Sequence, residues 1–259
     1  MELFCKEYGS NNSHLIILHG LLSSGRNWHT ICSNLAEKHH IIVPDMRNHG
    51  RSGHSDEHHL SDMVNDVLDV QNRFEIKSSF MLGHSMGGLA AMDFAFNAPE
   101  KIEGLIIIDI PPRPHQAGVA FVLDAMLGVR LEEMKSKSEV DEALLGALPD
   151  PLVRQFVLSN LHFDTGGFRW RANVPVLREF LLESQAYQPP PANVFEGPTL
   201  FIRGGRSDYI RNEDFPIIRN HFPNARIETV EKAGHWVHHD APDEILQLVD
   251  GFMRGVAKK

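Results

Sequence analysis

The sequence predicts an α/β fold built on a mostly parallel, doubly wound sheet with a helical cap insertion. Short apolar runs, such as residues 15–18 and 104–108, have the composition of buried parallel strands. Segments with helical periodicity follow most of these runs, and this alternation is typical of a doubly wound sheet. The alternation stops at about residue 113 and resumes at residue 199. We therefore expect a core formed by residues 1–112 and 197–259, with a cap formed by residues 113–196.

The core elements can be placed from apolar runs, periodicity and turn residues. The predicted strands lie at residues 2–8, 15–18, 41–43, 80–82, 104–108, 199–203 and 226–230. The predicted helices lie at residues 27–38, 60–74, 86–97 and 213–222, with a last helix that begins near Pro242. In the cap, the periodicity predicts helices at residues 119–131, 140–148, 152–161 and 176–184 and no convincing strand.

Length and charge limit the classes of partner. A chain of 259 residues suits one large domain, and its 34 acidic residues against 25 lysines and arginines give a formal charge of −9. This charge opposes phosphate backbones and anionic membranes, so we expect neither nucleic acid nor membrane as a partner. The first residues lack the pattern of a signal peptide, and only Cys5 and Cys32 could form disulfides. A cytoplasmic protein is expected.

A reactive serine is predicted at the end of the strand at residues 80–82. The pentapeptide from Gly83 to Gly87 reads Gly-His-Ser-Met-Gly, and a helical pattern follows it. In a G-x-S-x-G of this kind, a sharp turn between strand and helix presents the serine hydroxyl, and glycines avoid collisions with the backbone. We therefore expect Ser85 to be a nucleophile.

The other groups needed for acyl transfer also follow strands. Ligands in open α/β sheets collect beyond the carboxyl ends of the strands. His235 follows the last strand and is the expected general base, because a serine needs an imidazole to take its proton. His19 and His84 are expected to support the neighbouring loop and the turn. The backbone N–H groups of Leu21 and Met86 are expected to form an oxyanion hole.

The carboxylate that would orient His235 has two candidates. Asp208 follows the strand at residues 199–203, where the acid of this chain order often lies. Asp109 ends the strand that comes directly after the nucleophile strand, which is a geometrically reasonable alternative. The residues alone leave both open.

Several motifs together resemble those of the YbfF-type esterases, a bacterial group similar to the abhydrolase-domain-11 proteins. The motifs are His19-Gly20-Leu21, Asp45-Met46-Arg47-Asn48-His49-Gly50-Arg51-Ser52, Gly83-His84-Ser85-Met86-Gly87-Gly88, Asp109-Ile110-Pro111, residues 170–177 and Gly234-His235-Trp236-Val237-His238. The resemblance runs from about residue 15 to the C-terminus. It implies an α/β-hydrolase fold, an acid at Asp109, and activity on small acyl groups, with acyl-CoA thioesters as a further class.

These observations predict a serine hydrolase of carboxylic esters that works through an acyl-enzyme. This mechanism implies no cofactor. No metal is expected either, because adjacent histidines such as His39 and His40 point apart on a strand or helix and rarely bind one ion together. Phe121, Met126 and Trp236 are expected to contact a small ester or thioester substrate. A monomer or small homo-oligomer is expected.

Three other functions are compatible with this sequence. An acyltransferase would use the same serine and histidine while excluding water. A cofactor-free carbon–carbon hydrolase or haloperoxidase would share the fold. A non-catalytic binding protein is disfavoured, because such proteins usually lose the serine, the histidine or the acid, and this sequence has all three.

Overall fold

A computed structural model describes residues 1–115 and 118–257 of the chain. The strands are β1 Cys5–Tyr8, β2 His14–Leu18, β3 His40–Pro44, β4 Ser79–His84, β5 Ile102–Ile108, β6 Leu161–Asp164, β7 Gly167–Trp170, β8 Thr199–Gly204 and β9 Ala225–Val230. The α-helices are α1 His29–Leu35, α2 Leu60–Arg73, α3 Met86–Asn97, α4 Ala120–Gly128, α5 Lys137–Leu144, α6 Pro151–Leu158, α7 Val174–Gln185, α8 Phe215–His221, α9 Val237–Asp240 and α10 Pro242–Val256. No helix in these ranges has the length and apolar character needed to cross a bilayer.

The main sheet has seven strands in the order β1-β3-β2-β4-β5-β8-β9. Strand β1 runs antiparallel to β3, and the other neighbouring strands pair in parallel. Crossover helices connect the parallel strands, so their carboxyl ends meet at one edge of the sheet. The predicted doubly wound α/β class is confirmed.

Each face of the sheet carries its own helical layer because side chains alternate along a strand. In β2, Ile16 and Leu18 pack on the face covered by α2, α3 and α8. Leu15 and Ile17 pack on the opposite face, which α1 and α10 cover. All four side chains are fully buried. The two faces thus form two continuous apolar layers around the central strands.

The segment between β5 and β8 forms a cap with an apolar cluster of its own. Buried side chains from α4, α5, α6 and α7 meet in this cluster, which also takes in Leu22 from the core. The cap boundaries at residues 113 and 196 stay a prediction, and residues 116 and 117 of the cap lie outside the described residues.

The prediction of a cap without strands was wrong. Strands β6 and β7 form an antiparallel hairpin joined by the two-residue turn at Thr165 and Gly166. Gly167 has φ 101, which favours glycine, and the rings of Phe163 and Phe168 lie opposite each other with centroids 4.8 Å apart. Local turn geometry and one cross-strand aromatic pair thus stabilise a hairpin beside the helices.

Helix ends also differ from the expected positions. The first predicted helix is split into a 3-10 turn at Gly25–Trp28 and the shorter α1. The first predicted cap helix ends at Gly128, and Leu131–Glu133 forms a separate 3-10 turn. Amphipathic periodicity continues through such turns, which explains why it overestimates helix length.

The turn between β4 and α3 places Ser85 in a strained conformation. Ser85 has φ 53 and ψ −119, a region that side chains rarely adopt. A Cβ on Gly83 would overlap the carbonyl group of Gly87, and a Cβ on Gly87 would overlap the carbonyl oxygen of Leu18. Both glycines are therefore required where α3 leaves the sheet.

Gly87→Ala tests this close approach. The added methyl group would collide with the β2 backbone, which cannot move without disturbing the central sheet. We expect the free energy of unfolding to fall by about 3 kcal/mol, as in overpacked cores, measured by urea denaturation. Gly251→Ala in α10 is the matched control, because its Cβ meets no atom within 4 Å. That control should be stabilised by about 0.5–1 kcal/mol. Equal effects of the two substitutions would show that α3 does not need a glycine where it approaches β2.

Candidate active site

The carboxyl edge of the sheet brings together a serine, a histidine and an aspartate. Ser85 follows β4, Asp109 follows β5, and His235 lies in the loop between β9 and α9. Nδ1 of His235 lies 2.8 Å from Oδ2 of Asp109. Asp109 is fully buried and has φ 51, so its backbone turns sharply at the strand end. Side chains 126 residues apart in the chain thus form one hydrogen-bonded pair.

The carboxylate of Asp109 is held by two further donors. The N–H of Gly204 donates to Oδ1 at 3.1 Å, and the hydroxyl of Ser207 donates to Oδ2 beside His235. These bonds hold the carboxylate in place beside the imidazole. The loop after β8 therefore supplies a supporting hydroxyl to the buried acid.

The structure does not bring Asp208 to His235. The residue is exposed, and Arg211 donates to its backbone carbonyl at 3.2 Å. Its carboxylate has no hydrogen-bond or ion-pair partner among the residues that the structure describes. Of the two candidate acids, Asp109 is the one in contact with the histidine.

Two aromatic neighbours hold the position of His235. The ring of Tyr209 stacks on the imidazole with centroids 3.8 Å apart and an interplanar angle of 12°. Burial, with the nearby charge of Asp109, raises the pKa of Tyr209 to about 12, so the phenol stays neutral. Nε2 of His84 lies 2.9 Å from the backbone oxygen of His235, and burial lowers the pKa of His84 well below its ordinary value. A neutral His84 therefore donates from Nε2 to this oxygen.

Sequence reasoning missed Ser207 and Tyr209. Both lie next to Asp208 in the segment from Gly205 to Ile210, for which the sequence predicts only a candidate acid. The available signal was its position after a strand, which places polar side chains at the same edge of the sheet. That signal cannot distinguish a residue that contacts the histidine directly from one that supports its partner.

Two backbone N–H groups lie beside Ser85. Gly20 is packed so closely that an added Cβ would lie 3.3 Å from Cβ of Ser85. The next residue, Leu21, lines the same cavity as Ser85, and so does Met86, the first residue of α3. Neither N–H donates to an acceptor among the described residues. These free donors, one of them at a helix N-terminus, favour negative charge next to the serine.

His19 supports this loop, as the sequence suggested. Its Nε2 accepts a hydrogen bond from the N–H of Met46 at 2.9 Å, and its Nδ1 donates to the carbonyl of Gly20 at 2.9 Å. Complete burial lowers the pKa of His19, which keeps the ring neutral and allows one nitrogen to accept while the other donates.

Comparison with known proteins agrees with the fold. The profile described as "Alpha/beta hydrolase family" matches residues 15–248. The chain belongs to this family. The predicted resemblance to YbfF-type esterases and abhydrolase-domain-11 proteins is also confirmed, because relatives with these names match the chain.

Two curated relatives and one solved structure are similar over nearly the whole chain. The "sn-1-specific diacylglycerol lipase ABHD11" of Xenopus laevis is 36% identical over 92% of this chain and 79% of its own length. "Esterase YbfF" of Escherichia coli (strain K12) is 32% identical over 94% of both chains. The solved structure titled "Marine microorganism esterase" is 31% identical, with a TM-score of 0.94, and covers 97% of this chain and 99% of that chain.

A cavity of about 640 Å³ lies at the carboxyl edge of the sheet, where open α/β folds bind ligands. Ser85 and His235 both line it, and so do the expected contact residues Phe121 and Trp236. Met126 is not brought to the cavity. It is fully buried in the cap cluster, where its side chain fills the space between α4 and its neighbours.

The described residues offer no cluster of three or more histidine, cysteine or carboxylate side chains with the geometry of a metal site. His39 and His40, which are adjacent in the chain, have different partners. His40 bonds to Glu7 at 2.8 Å, whereas His39 faces Ser13 and Asp250.

Proposed function

We propose that this protein is a serine esterase that hydrolyses small carboxylic esters through an acyl-enzyme. Ser85 attacks the ester carbonyl while His235 takes its proton and then gives it to the leaving alcohol. Asp109 holds His235 in the correct tautomer and stabilises the imidazolium. The N–H groups of Leu21 and Met86 hold the oxyanion. Water then releases the acid by the same route, and no cofactor is needed.

The contact between His235 and Asp109, 2.8 Å long and beside a serine in a strained turn, carries this proposal. A buried carboxylate makes an imidazole a better base only when it bonds to the nitrogen that faces away from the serine. Nδ1 is bonded to Asp109, which leaves Nε2 of His235 for Ser85. The names of the relatives, an esterase and a diacylglycerol lipase, support ester hydrolysis.

One part of the cavity is suited to an acyl chain. It lies on the α3 face of the sheet and is lined by apolar side chains that are at most 5% exposed. These side chains are Leu89, Ile110, Val122, Phe180 and Leu181. Buried apolar walls favour a hydrocarbon acyl group, and the packed side chains around it restrict chain length, which supports the preference for short acyl groups. We call this part the acyl arm.

Another part of the cavity lining is exposed, and we call it the leaving-group arm. Its polar residues near α1, α6 and α9 are Asn27, Thr30, Gln155, Ser159 and His239, and the exposed apolar side chains of Leu152 and Trp236 line it as well. Exposed polar walls accept a large hydrated alcohol or thiol and admit water to the acyl-enzyme. This supports hydrolysis over acyl transfer, and it allows acyl-CoA thioesters as a further substrate class.

A cytoplasmic location and a small-molecule ester as the partner complete the proposal. Cys5 and Cys32 are both unpaired, and burial raises the pKa of each thiol. Two protonated thiols without a disulfide fit a reducing compartment. Cell fractionation with an antibody to the protein would test the location.

Asp109→Asn and Asp208→Asn compare the two acids directly. Asp109→Asn removes the carboxylate that bonds to Nδ1 of His235. It should lower kcat on p-nitrophenyl acetate by about 10⁴-fold, because the wrong tautomer of the imidazole is then favoured. Asp208→Asn should leave kcat within about twofold, because its carboxylate is exposed and unpartnered. Steady-state kinetics of the two purified variants are the measurement. The reverse pattern would show that Asp208 is the acid.

Substitutions at Leu181 test the acyl arm with a control on the same helix. Leu181→Ala should extend the longest acyl group accepted, and Leu181→Phe should shorten it, each changing kcat/KM by about tenfold for the affected ester. Leu182, which is 60% exposed and outside the cavity, provides the matched Leu182→Ala and Leu182→Phe controls. A series of p-nitrophenyl esters is the assay, and an unchanged length profile in both Leu181 variants would rule out this arm.

A further inference from the structure

Leu22, the residue after the expected oxyanion donor Leu21, is held by the core and by the cap at the same time. Its N–H donates to Nε2 of His49 at 3.1 Å. Its carbonyl accepts a hydrogen bond from Nδ2 of Asn160 at 2.8 Å. Its φ is 59, a conformation that costs a leucine free energy unless the surroundings enforce it. Both polar groups of one strained residue are therefore fixed.

The side chain of Leu22 adds an apolar anchor. It is 2% exposed and belongs to the cap cluster, although the residue itself lies in the loop after β2. Leu22 is thus packed into the cap while its N–H bonds to the core. The Leu21–Leu22 peptide, which carries the Leu22 N–H, cannot rotate without breaking the bond to His49. The Leu22–Ser23 peptide, which carries the Leu22 carbonyl, cannot rotate without breaking the bond to Asn160.

His49 is built to accept this hydrogen bond. The residue is fully buried, and its Nδ1 donates to the backbone oxygen of Arg47 at 2.9 Å, which leaves Nε2 as the acceptor. Burial lowers the pKa of His49 well below its ordinary value, and the facing groups His19 and His58 act in the same direction. The ring therefore stays neutral and keeps its acceptor throughout the working pH range.

Asn160 is equally constrained on the cap side. It lies between α6 and β6, is 5% exposed, and donates its own N–H to Val157 at 2.9 Å. Its backbone oxygen accepts from the N–H of Arg171 at 2.7 Å. The helix and the hairpin of the cap thus fix the amide that reaches Leu22.

A second pair of contacts joins the cap to the loop that carries His49. The N–H of Asn173 donates to the backbone oxygen of Asn48 at 2.9 Å, and its Nδ2 donates to Oδ1 of Asn48 at 3.1 Å. Asn48 itself has φ 64. His49 and Asn160, the two residues that bond to Leu22, therefore lie in segments that also bond to each other.

We propose that the cap helps to position the oxyanion hole. In this proposal Asn160 of the cap and His49 of the core are positioning residues, which hold the Leu21 N–H in place through their bonds to Leu22. This inference rests on the proposed function. An N–H stabilises an oxyanion only when it is aimed in advance, and a displacement of about 1 Å can cost about 100-fold in rate. The Leu21 N–H belongs to the Gly20–Leu21 peptide, whose carbonyl accepts bonds from His19 and from the N–H of Ser23 in the same turn. His49 and Asn160 act on this peptide through the fixed conformation of Leu22 inside that turn, so a cap that lifts away from Leu22 loosens the aim and slows catalysis.

Asn160→Leu tests the cap contact, because leucine has similar volume and no donor. We expect kcat to fall by about 10- to 100-fold while KM stays within about twofold, since the contact acts on the transition state. The inhibition constant of an aryl trifluoromethyl ketone should rise by the same factor. Such a ketone adds the Ser85 oxygen and leaves an oxyanion in the hole, so its binding reports the donors directly.

Two further variants keep this test decisive. Asn160→Asp, which keeps the size but lacks the donor at neutral pH, replaces the leucine variant if that one unfolds. His54→Leu is the matched control, because it removes another bond between core and cap, from Nε2 of His54 to the oxygen of Arg171 at 2.9 Å, without touching Leu22. The control should keep kcat within about twofold.

His49 is tested through a conservative pair. His49→Leu removes the acceptor and should lower kcat as Asn160→Leu does, whereas His49→Gln offers an amide oxygen and should recover about tenfold of the loss. A wild-type kcat and ketone affinity in folded Asn160→Leu or Asn160→Asp would overturn the inference. So would an equal loss in His54→Leu. An active Ser85→Ala would instead overturn the proposed function, so the two failures can be told apart.

Discussion

The close approach of helix α3 to strand β2 determines the geometry of the whole site. Gly87 lies against the carbonyl of Leu18 with no room for a Cβ, and Ser85, two residues earlier, has a positive φ of 53. This contact brings the start of α3 beside the loop that follows β2. Ser85 and the two free N–H groups are neighbours for that reason. The strain is offset by the two apolar layers that hold the central strands.

Several of the chain's 16 histidines serve as neutral, buried hydrogen-bonding groups. His19, His49 and His84 are each almost or fully buried, and burial lowers the pKa of each ring. A neutral imidazole can accept on one nitrogen and donate on the other, which suits a loop whose backbone groups lack partners in the sheet. His235 differs, because a buried aspartate faces its ring. These three histidines therefore support loops and turns, whereas His235 is the one that we propose for proton transfer.

The sequence predicted the sheet, most core elements and the position of Ser85, because strand and helix periods and the G-x-S-x-G turn are local signals. It could not choose between Asp109 and Asp208 from the residues, because both follow strands and only the fold decides which one faces His235. The hairpin at 161–170 was missed although Gly166 and Gly167 marked its turn. Contacts such as that of Asn160 with Leu22 join residues 138 apart and leave no local pattern.

The proposed mechanism requires a covalent acyl intermediate on Ser85. It can be tested by mixing the enzyme with p-nitrophenyl acetate, quenching in acid within the first turnovers, and mapping the acetyl group by peptide mass spectrometry. The acyl-enzyme mechanism predicts one acetyl group on Ser85, formed together with a burst of p-nitrophenol. An acetyl group on another residue, or steady turnover with no labelled peptide, would contradict it.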